Sequence, residues 1–343
     1  GISRFDCNLS GGNEMKKTKI ISLMLAALLM FCMLAACNDS TSDSNVKKIG
    51  VMQFAEFDAL QKAYDGFVDG LKEAGYEDGK NIEITKLSAA ADTANCPTIA
   101  DTLINNGSDL IYAIATPSVS AIKEKTTTIP VLFTAVTDPV KSGFVNNPGG
   151  NISGTSDMNP VKEQIDLLKA ILPDAKTVAV LYCSSESNSA AQYALAKAQI
   201  EALGMTCIEK TISAIDEAKS AVESLAGVAD AIYVPTDNTI SDSMTSVSAA
   251  ANAVKLPLIV GEAGMVVNGA LATYGIDYYR LGKQTAEMAV KLLKADKPLD
   301  EIAKMAVVYQ TDCVYAVNTD TAAALGITIP EEILSKATIY PSK

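Results

Sequence analysis

The chain contains no histidine. That absence removes the usual general base of serine and cysteine hydrolases and the commonest zinc ligand, and it weighs against both enzyme classes. No nucleophile motif and no dense D-x-D-x-D loop stands in its place, so neither a catalytic centre nor a calcium site is expected, and no cofactor. Basic charge is also in deficit. Lys and Arg number 28 against 40 Asp and Glu, a net charge of −12, and no basic stripe with interleaved aromatics offsets it. Such a surface repels phosphates, which argues against nucleic acid as a partner.

What is present begins with Met15 to Cys37, MKKTKIISLMLAALLMFCMLAAC. Lys16, Lys17 and Lys19 form a positive head. The apolar run from Ile20 to Leu34 is too short for a stop-transfer helix and ends in Leu34, Ala35, Ala36, Cys37. This is the lipobox pattern: small residues suit a signal peptidase pocket, and the Cys37 thiol accepts a diacylglycerol before cleavage. A short membrane helix with an incidental Cys37 is the alternative. Residues 1–36 are therefore read as an upstream start artefact plus a signal peptide, and 37–46 as a lipidated cysteine followed by the polar tether NDSTSDSN. The expected location is the extracytoplasmic side of the cell membrane, held by lipid alone. Beyond Cys37, the cysteines Cys96, Cys183, Cys207 and Cys313 form no CxxC and no close pair. Separate buried thiols are expected, with a Cys183–Cys207 disulfide as the alternative.

About 300 residues remain, more than one core usually serves. Short apolar runs alternate with amphipathic stretches. KKIGVMQF (47–54), NIEITKL (81–87), DLIYAIA (109–115) and PVLFTAV (130–136) read as strands, with helical patterns between them. After a polar joint, NISGTSDMNP, the rhythm restarts with TVAVLYC (177–183), MTCIEKT (205–211), DAIYVP (230–235), PLIV (257–260) and ALATYGI (270–276). A long amphipathic helix from Tyr279 to Lys294 and the strand-like MAVVYQ (305–310) follow. This is an α/β chain with parallel sheets in two Rossmann-like halves, and the cleft between them is the default ligand site.

In such sheets functional residues collect past the carboxyl ends of strands, beside helix N-termini that present free N–H groups. Those positions hold Gln53, Phe54, Glu56 and Phe57, then Thr116, Pro117 and Ser118, then Thr137, Asp138 and Pro139. In the second half they hold Ser184 to Ser189, then Thr236, Asp237 and Asn238, then Glu262, then Asp277. Hydroxyls, amides, carboxylates and rings together suit a zwitterion with an apolar side chain. Its carboxylate would sit on Ser187 and Asn188, its ammonium on Asp237, and its ring between Phe54 and Phe57. Each residue has a plainer reading. Ser187, Asn188, Asp237 and Thr116 are also standard helix caps, and Asp138 before Pro139 is also a turn former. Phe54 and Phe57 also suit a core, and Asp277 also suits a hinge.

Several strings carry a resemblance: TAVTDPV (134–140), NPGGNISGTSDMNP (147–160), LLKAILPDAKTVAVLYCSSESNS (167–189), AIYVPTDNTI (231–240), GALATYGIDYYRLGKQTAEMAVKLL (269–293) and LGITIPEEIL (325–334). Together they resemble the ABC transporter substrate-binding lipoproteins of the tryptophan/tyrosine type. The resemblance implies a type I periplasmic-binding-protein fold with three hinge crossovers, near Asp157, Gly275 and Met305. Lobe 1 would then comprise 47–157 with 275–305, and lobe 2 158–274 with 306–343. It further implies a non-enzymatic, monomeric protein that captures tyrosine, tryptophan or phenylalanine and delivers it to an ABC permease. The family's polar motifs would correspond to Thr116, Asp138, Ser187, Asn188, Asp237, Asn238 and Asp277, and with Phe54, Ser118 and Ser185 from the strand-end positions these are the expected ligand-binding residues. A ligand-binding surface sensor or adhesin of the same fold is the alternative. An enzyme using the carboxylates of Asp138, Glu186, Asp237 and Glu262 is the weaker rival.

Overall fold

The structure, a computed structural model, describes residues 46–145 and 150–341. From Lys47 onward the chain is one compact unit, built as two lobes on two sheets. The first run comprises β1 (Lys47–Gln53), α1 (Asp58–Glu73), β2 (Ile82–Ser88), α2 (Cys96–Asn105), β3 (Leu110–Ile114), α3 (Thr116–Lys123), β4 (Val131–Val136) and β5 (Ile152–Ser156). The second comprises α4 (Val161–Ile171), β6 (Thr177–Cys183), α5 (Ser187–Ala202), β7 (Thr206–Ile212), α6 (Ala218–Glu223), β8 (Ala231–Val234), α7 (Asn238–Asp242), α8 (Met244–Ala253), β9 (Leu258–Val260), α9 (Ala263–Val267) and β10 (Ala272–Ile276). The remainder is α10 (Tyr278–Lys294), α11 (Pro298–Ile302), β11 (Val308–Tyr309), β12 (Cys313–Asn318), α12 (Thr319–Leu325), α13 (Glu331–Leu334) and β13 (Ala337–Tyr340).

The first sheet runs β2-β1-β3-β4-β5-β11, parallel throughout. The second runs β7-β6-β8-β9-β10-β12-β13, parallel except where β12 lies antiparallel on β10. The central strands explain themselves. LIYAI of β3 and VLFTAV of β4 are buried at every position, as strands covered by helices on both faces must be. Strand order reverses around β1 in the first sheet and β6 in the second. Loops after β1, β3, β6 and β8 therefore flank the switch points, where ligands of open α/β sheets bind.

Helix α10 belongs to the first lobe although it follows β10 of the second sheet. It packs along α1 at backbone contact: a Cβ on Gly66 would strike the Tyr279 carbonyl, and one on Gly282 the Ala63 carbonyl. Only glycine permits that approach. Beneath it, Thr134, Thr155 and Thr285 hydroxyls form a buried chain with 2.8 Å links, ending on the Leu281 carbonyl. This chain fixes α10 against β4 and β5.

Two sequence expectations are corrected here. The polar joint NISGTSDMNP contains a strand, β5, whose five residues are all buried; its small polar side chains hid it from a search for apolar runs. The passage after α10 joins the first sheet through β11 on β5, so the third crossing falls between Tyr309 and Cys313, beyond Met305. The other crossings lie between Ser156 and Val161 and between Ile276 and Tyr278. Cys96, Cys183, Cys207 and Cys313 are free thiols. Cys183 pairs in register with Ile212, and Cys207 with Val178, so the two lie at opposite ends of β6 and β7. Among the described residues no helix is long and apolar enough to cross a membrane. The lipobox and Cys37 lie outside the described residues.

Candidate functional site

Three cavities are lined by residues of both lobes, the middle one sharing Asn188 with one neighbour and Ala59, Glu262 and Tyr278 with the other. The largest, about 440 Å³, lies between Phe54, Thr93, Thr116 and Pro117 of lobe 1 and Ser185, Glu186, Ser187 and Asn188 of lobe 2. A central one of about 10 Å³ is bounded by Phe57, Thr137, Asp157, Asn188, Asn238 and Glu262, together with Tyr278. A third, about 330 Å³, lies beyond Glu262 and Tyr278 on the far side. The central space holds about one water. The lobes thus meet at the centre of the seam, and an amino acid reaches that space only if they part there, whereas the cavity beside it is of ligand size.

Asp157, at the first crossover, is the central carboxylate. It is 3 % exposed and accepts from Tyr278 Oη at 2.6 Å and Thr137 Oγ1 at 3.3 Å. Burial pushes its pKa up to about 6, against the pull of those two bonds. Glu262 caps α9 by accepting from the Gly264 and Met265 N–H groups. Burial, with the Asp58 carboxylate adding to it, pushes its pKa up to about 7. A cation delivered between these groups would meet two acids short of positive partners.

Asp237 departs from its expected role. Its carboxylate is fully buried and lines none of the three cavities. It accepts from Ile240 N at 2.9 Å, capping α7, and from Cys183 N and Ser189 Oγ, both at 2.7 Å. Burial and the neighbouring Glu186 charge raise its pKa. Three of the roughly four acceptor positions of a carboxylate are thus taken by the protein, and the group is turned away from the cavities. Glu186 is engaged likewise. It accepts from Asn238 N and Nδ2, Thr239 N and Oγ1, and Asn188 Nδ2, at 2.7–3.1 Å.

The other expected residues divide. Phe54, Thr116, Ser185, Ser187 and Asn188 line the large cleft, and Asn188 with Asn238 reaches the central cavity. Phe54 is nonetheless 2 % exposed and part of the lobe 1 core, whereas Phe57 faces the centre. Ser118 is fully buried with no partner for its hydroxyl and lines none of these cavities. Asp138 accepts from Lys141 N at 2.9 Å, the turn-forming role. Asp277 caps α10 through Arg280 N and borders the far cavity, away from the centre. Sequence reasoning passed over Asp157 and Tyr278. Asp157 follows β5, so recognising that strand would have placed it at a carboxyl end. Among the described residues no cluster of three or more potential metal ligands occurs.

Residues 48–340 match the family model for ABC transporter substrate binding proteins. The chain belongs to this family. A tyrosine-binding protein of Clostridioides difficile is 38% identical over 327 residues, covering 90% of this chain and 95% of that one. Among solved structures, an ABC domain from Streptococcus pneumonia in complex with L-Trp is 37% identical, with a TM-score of 0.81 over 86% of this chain and 99% of the other. The ligand-free, open structure of a substrate-binding protein with adhesive properties from Clostridium difficile is 40% identical over 87% and 100%, yet its TM-score is 0.67. The more similar sequence superimposes less well. This family member therefore has the lobe arrangement of the L-Trp complex more than that of the open form, in keeping with its narrow central cavity. Known relatives of this kind are solute-binding proteins, and the chain is accordingly a binding protein in type.

Proposed function

We propose that the protein captures an aromatic amino acid, namely tyrosine, tryptophan or phenylalanine, between its lobes and delivers it to an ABC permease. In this reading it acts as a monomer, anchored on the extracytoplasmic side of the cell membrane through lipid on Cys37. Family membership over nearly all the described chain supports a transporter context. The tyrosine-binding relative and the L-Trp complex support the ligand class.

Asp157 carries the reading. It is a buried carboxylate in the central cavity with two hydroxyl donors and no cation, which suits the ligand ammonium. The ligand carboxylate would take Ser187 and the first N–H groups of α5, and its ring would lie against Phe57. Closure brings these groups together from both lobes. The ligand stabilises the closed form because only that form offers all of them at once.

A thermal-shift screen of all amino acids on protein stripped of carried ligand by denaturation and refolding, with calorimetry on hits, tests this. Stabilisation by aromatic amino acids with micromolar or tighter binding is expected. No response to any amino acid would overturn the ligand class. The adhesive properties of a relative 40% identical favour a second reading, a surface adhesin or sensor. Capture of a host surface with no permease association would support that instead.

A further inference from the structure

The far cavity meets the central one only at Ala59, Glu262 and Tyr278. Its walls come from both lobes: Asp58 and Lys62 on α1, Tyr279 on α10, and Glu262, Val314 and Tyr340 from the second sheet and its loops. At about 330 Å³ it could hold roughly ten waters, so it is of ligand size while the centre of the seam is filled. Glu262 and Tyr278 border both spaces and separate them.

The chemistry of the walls is one-sided. Asp58, Glu262 and Asp277 face Lys62 alone. Lys62 Nζ pairs with Asp58 Oδ2 at 2.7 Å, a single cation among the three carboxylates of the lining. Rings of Tyr278, Tyr279 and Tyr340 and the side chains of Ile276, Val314 and Ala316 supply apolar surface. A cation with an apolar body fits this lining through carboxylate and ring contacts. A carboxylate on the same molecule would meet three acids, so an amino acid is disfavoured here.

We infer that the far cavity is a second binding site, for a small aromatic or amphipathic amine without a carboxylate, and that its occupancy favours the closed lobes. The linkage to closure follows from its two-lobed walls: a ligand touching both sides binds the closed form better. By reciprocity, amine and amino acid then strengthen each other's binding. This coupling rests on the proposed amino-acid site, but the cavity itself does not.

Calorimetry with tyramine and phenethylamine, alone and with saturating tyrosine, tests the inference on the purified protein and on Asp58→Asn and Val314→Trp. Saturable amine binding is expected that persists with tyrosine present, tightens at least threefold with it, and weakens at least tenfold in both variants. Tyrosine affinity measured alone should stay within threefold of wild type in both. Absence of amine binding to 5 mM, a conventional upper limit of roughly weak-ligand affinity, would overturn the proposal. So would competition between amine and tyrosine with loss of both in Asp157→Asn, which would put the amine in the centre. If no amino acid binds while the amine does, the second site stands and the amino-acid reading fails.

Discussion

Tyr278 Oη donates to Asp157 Oδ2 across 2.6 Å, joining the second crossover to the first at the centre of the interlobe seam. The bond orients the carboxylate that faces the central cavity and couples it to the helix that returns to lobe 1. Asp157→Asn keeps the shape and the accepting oxygen while removing the charge. It should weaken aromatic amino acid binding at least tenfold, since a charged hydrogen bond contributes about 1.5–3 kcal/mol. The folded state should not suffer: an acid raised to about 6 costs roughly 3 kcal/mol when ionised at pH 8, so the variant should melt no lower than wild type there. Calorimetry and melting curves on the same preparation check both. Full affinity in the variant would remove Asp157 from the site.

Ligand binding should depend on pH through the same group. In the closed, empty form Asp157 titrates near 6, and an ammonium beside it favours the ionised form. Affinity should therefore be flat above about pH 6.5 and fall by up to tenfold per pH unit below about 6. Calorimetry from pH 5 to 8 in buffers of different ionisation heat would register proton release on binding at the acid end. A profile flat to pH 5 would separate the ligand from Asp157.

Much of the fold was legible because its central strands are continuous apolar runs. TVAVLYC is β6 residue for residue. The parallel architecture follows from the same alternation, whereas the return of the Tyr279–Lys294 helix to lobe 1 is implied by the resemblance alone. Strand β5, ISGTS, was not legible, because burial there is of glycine and hydroxyls whose bonds lie elsewhere in the chain: Ser153 to Met305 O, and Thr155 to Thr134 and Thr285. The site suffered accordingly. Strand-end positions gave loops that line the seam cavities, but whether a carboxylate faces the cavity or caps a helix depends on partners fifty residues away, as Cys183 and Asp237 illustrate. No spacing rule contains that.

Stability should rise on mild acidification. Glu262, raised to about 7 by burial, binds its proton more tightly in the folded chain than in the unfolded one. Unfolding therefore releases a proton between about pH 4.5 and 7, and stability falls as pH rises through that window, by roughly 3 kcal/mol in all if Glu262 acts alone. Glu262→Gln should flatten its share of the profile, although the amide nitrogen leaves one of the Gly264 and Met265 N–H groups without its acceptor and offsets much of the gain at pH 8. Melting at half-unit pH intervals without ligand checks this. A wild-type protein least stable at pH 5 within the range 5–8 would contradict it.

Asp237 supplies the sharpest contrast with Asp157. Its carboxylate ties the end of β6, the first turn of α5 and the start of α7 into one unit, and removing it leaves two backbone N–H groups and a hydroxyl buried without an acceptor. Asp237→Ala should lower stability by about 2–4 kcal/mol, from the lost cap and the unsatisfied donors. Recovery of the charge-free fold should offset part of this, because the acid is itself costly to ionise where it lies. Ligand affinity of the molecules that remain folded should change by less than threefold at 15 °C. Glu186→Gln lowers the repulsion on Asp237 but sets an amide NH2 against donors on one of the two oxygens, and should cost about 1–3 kcal/mol. Urea melts give the stability and calorimetry the affinity. An Asp237→Ala protein that melts like wild type but has lost its ligand would return Asp237 to the ammonium and reduce Asp157 to a hinge residue.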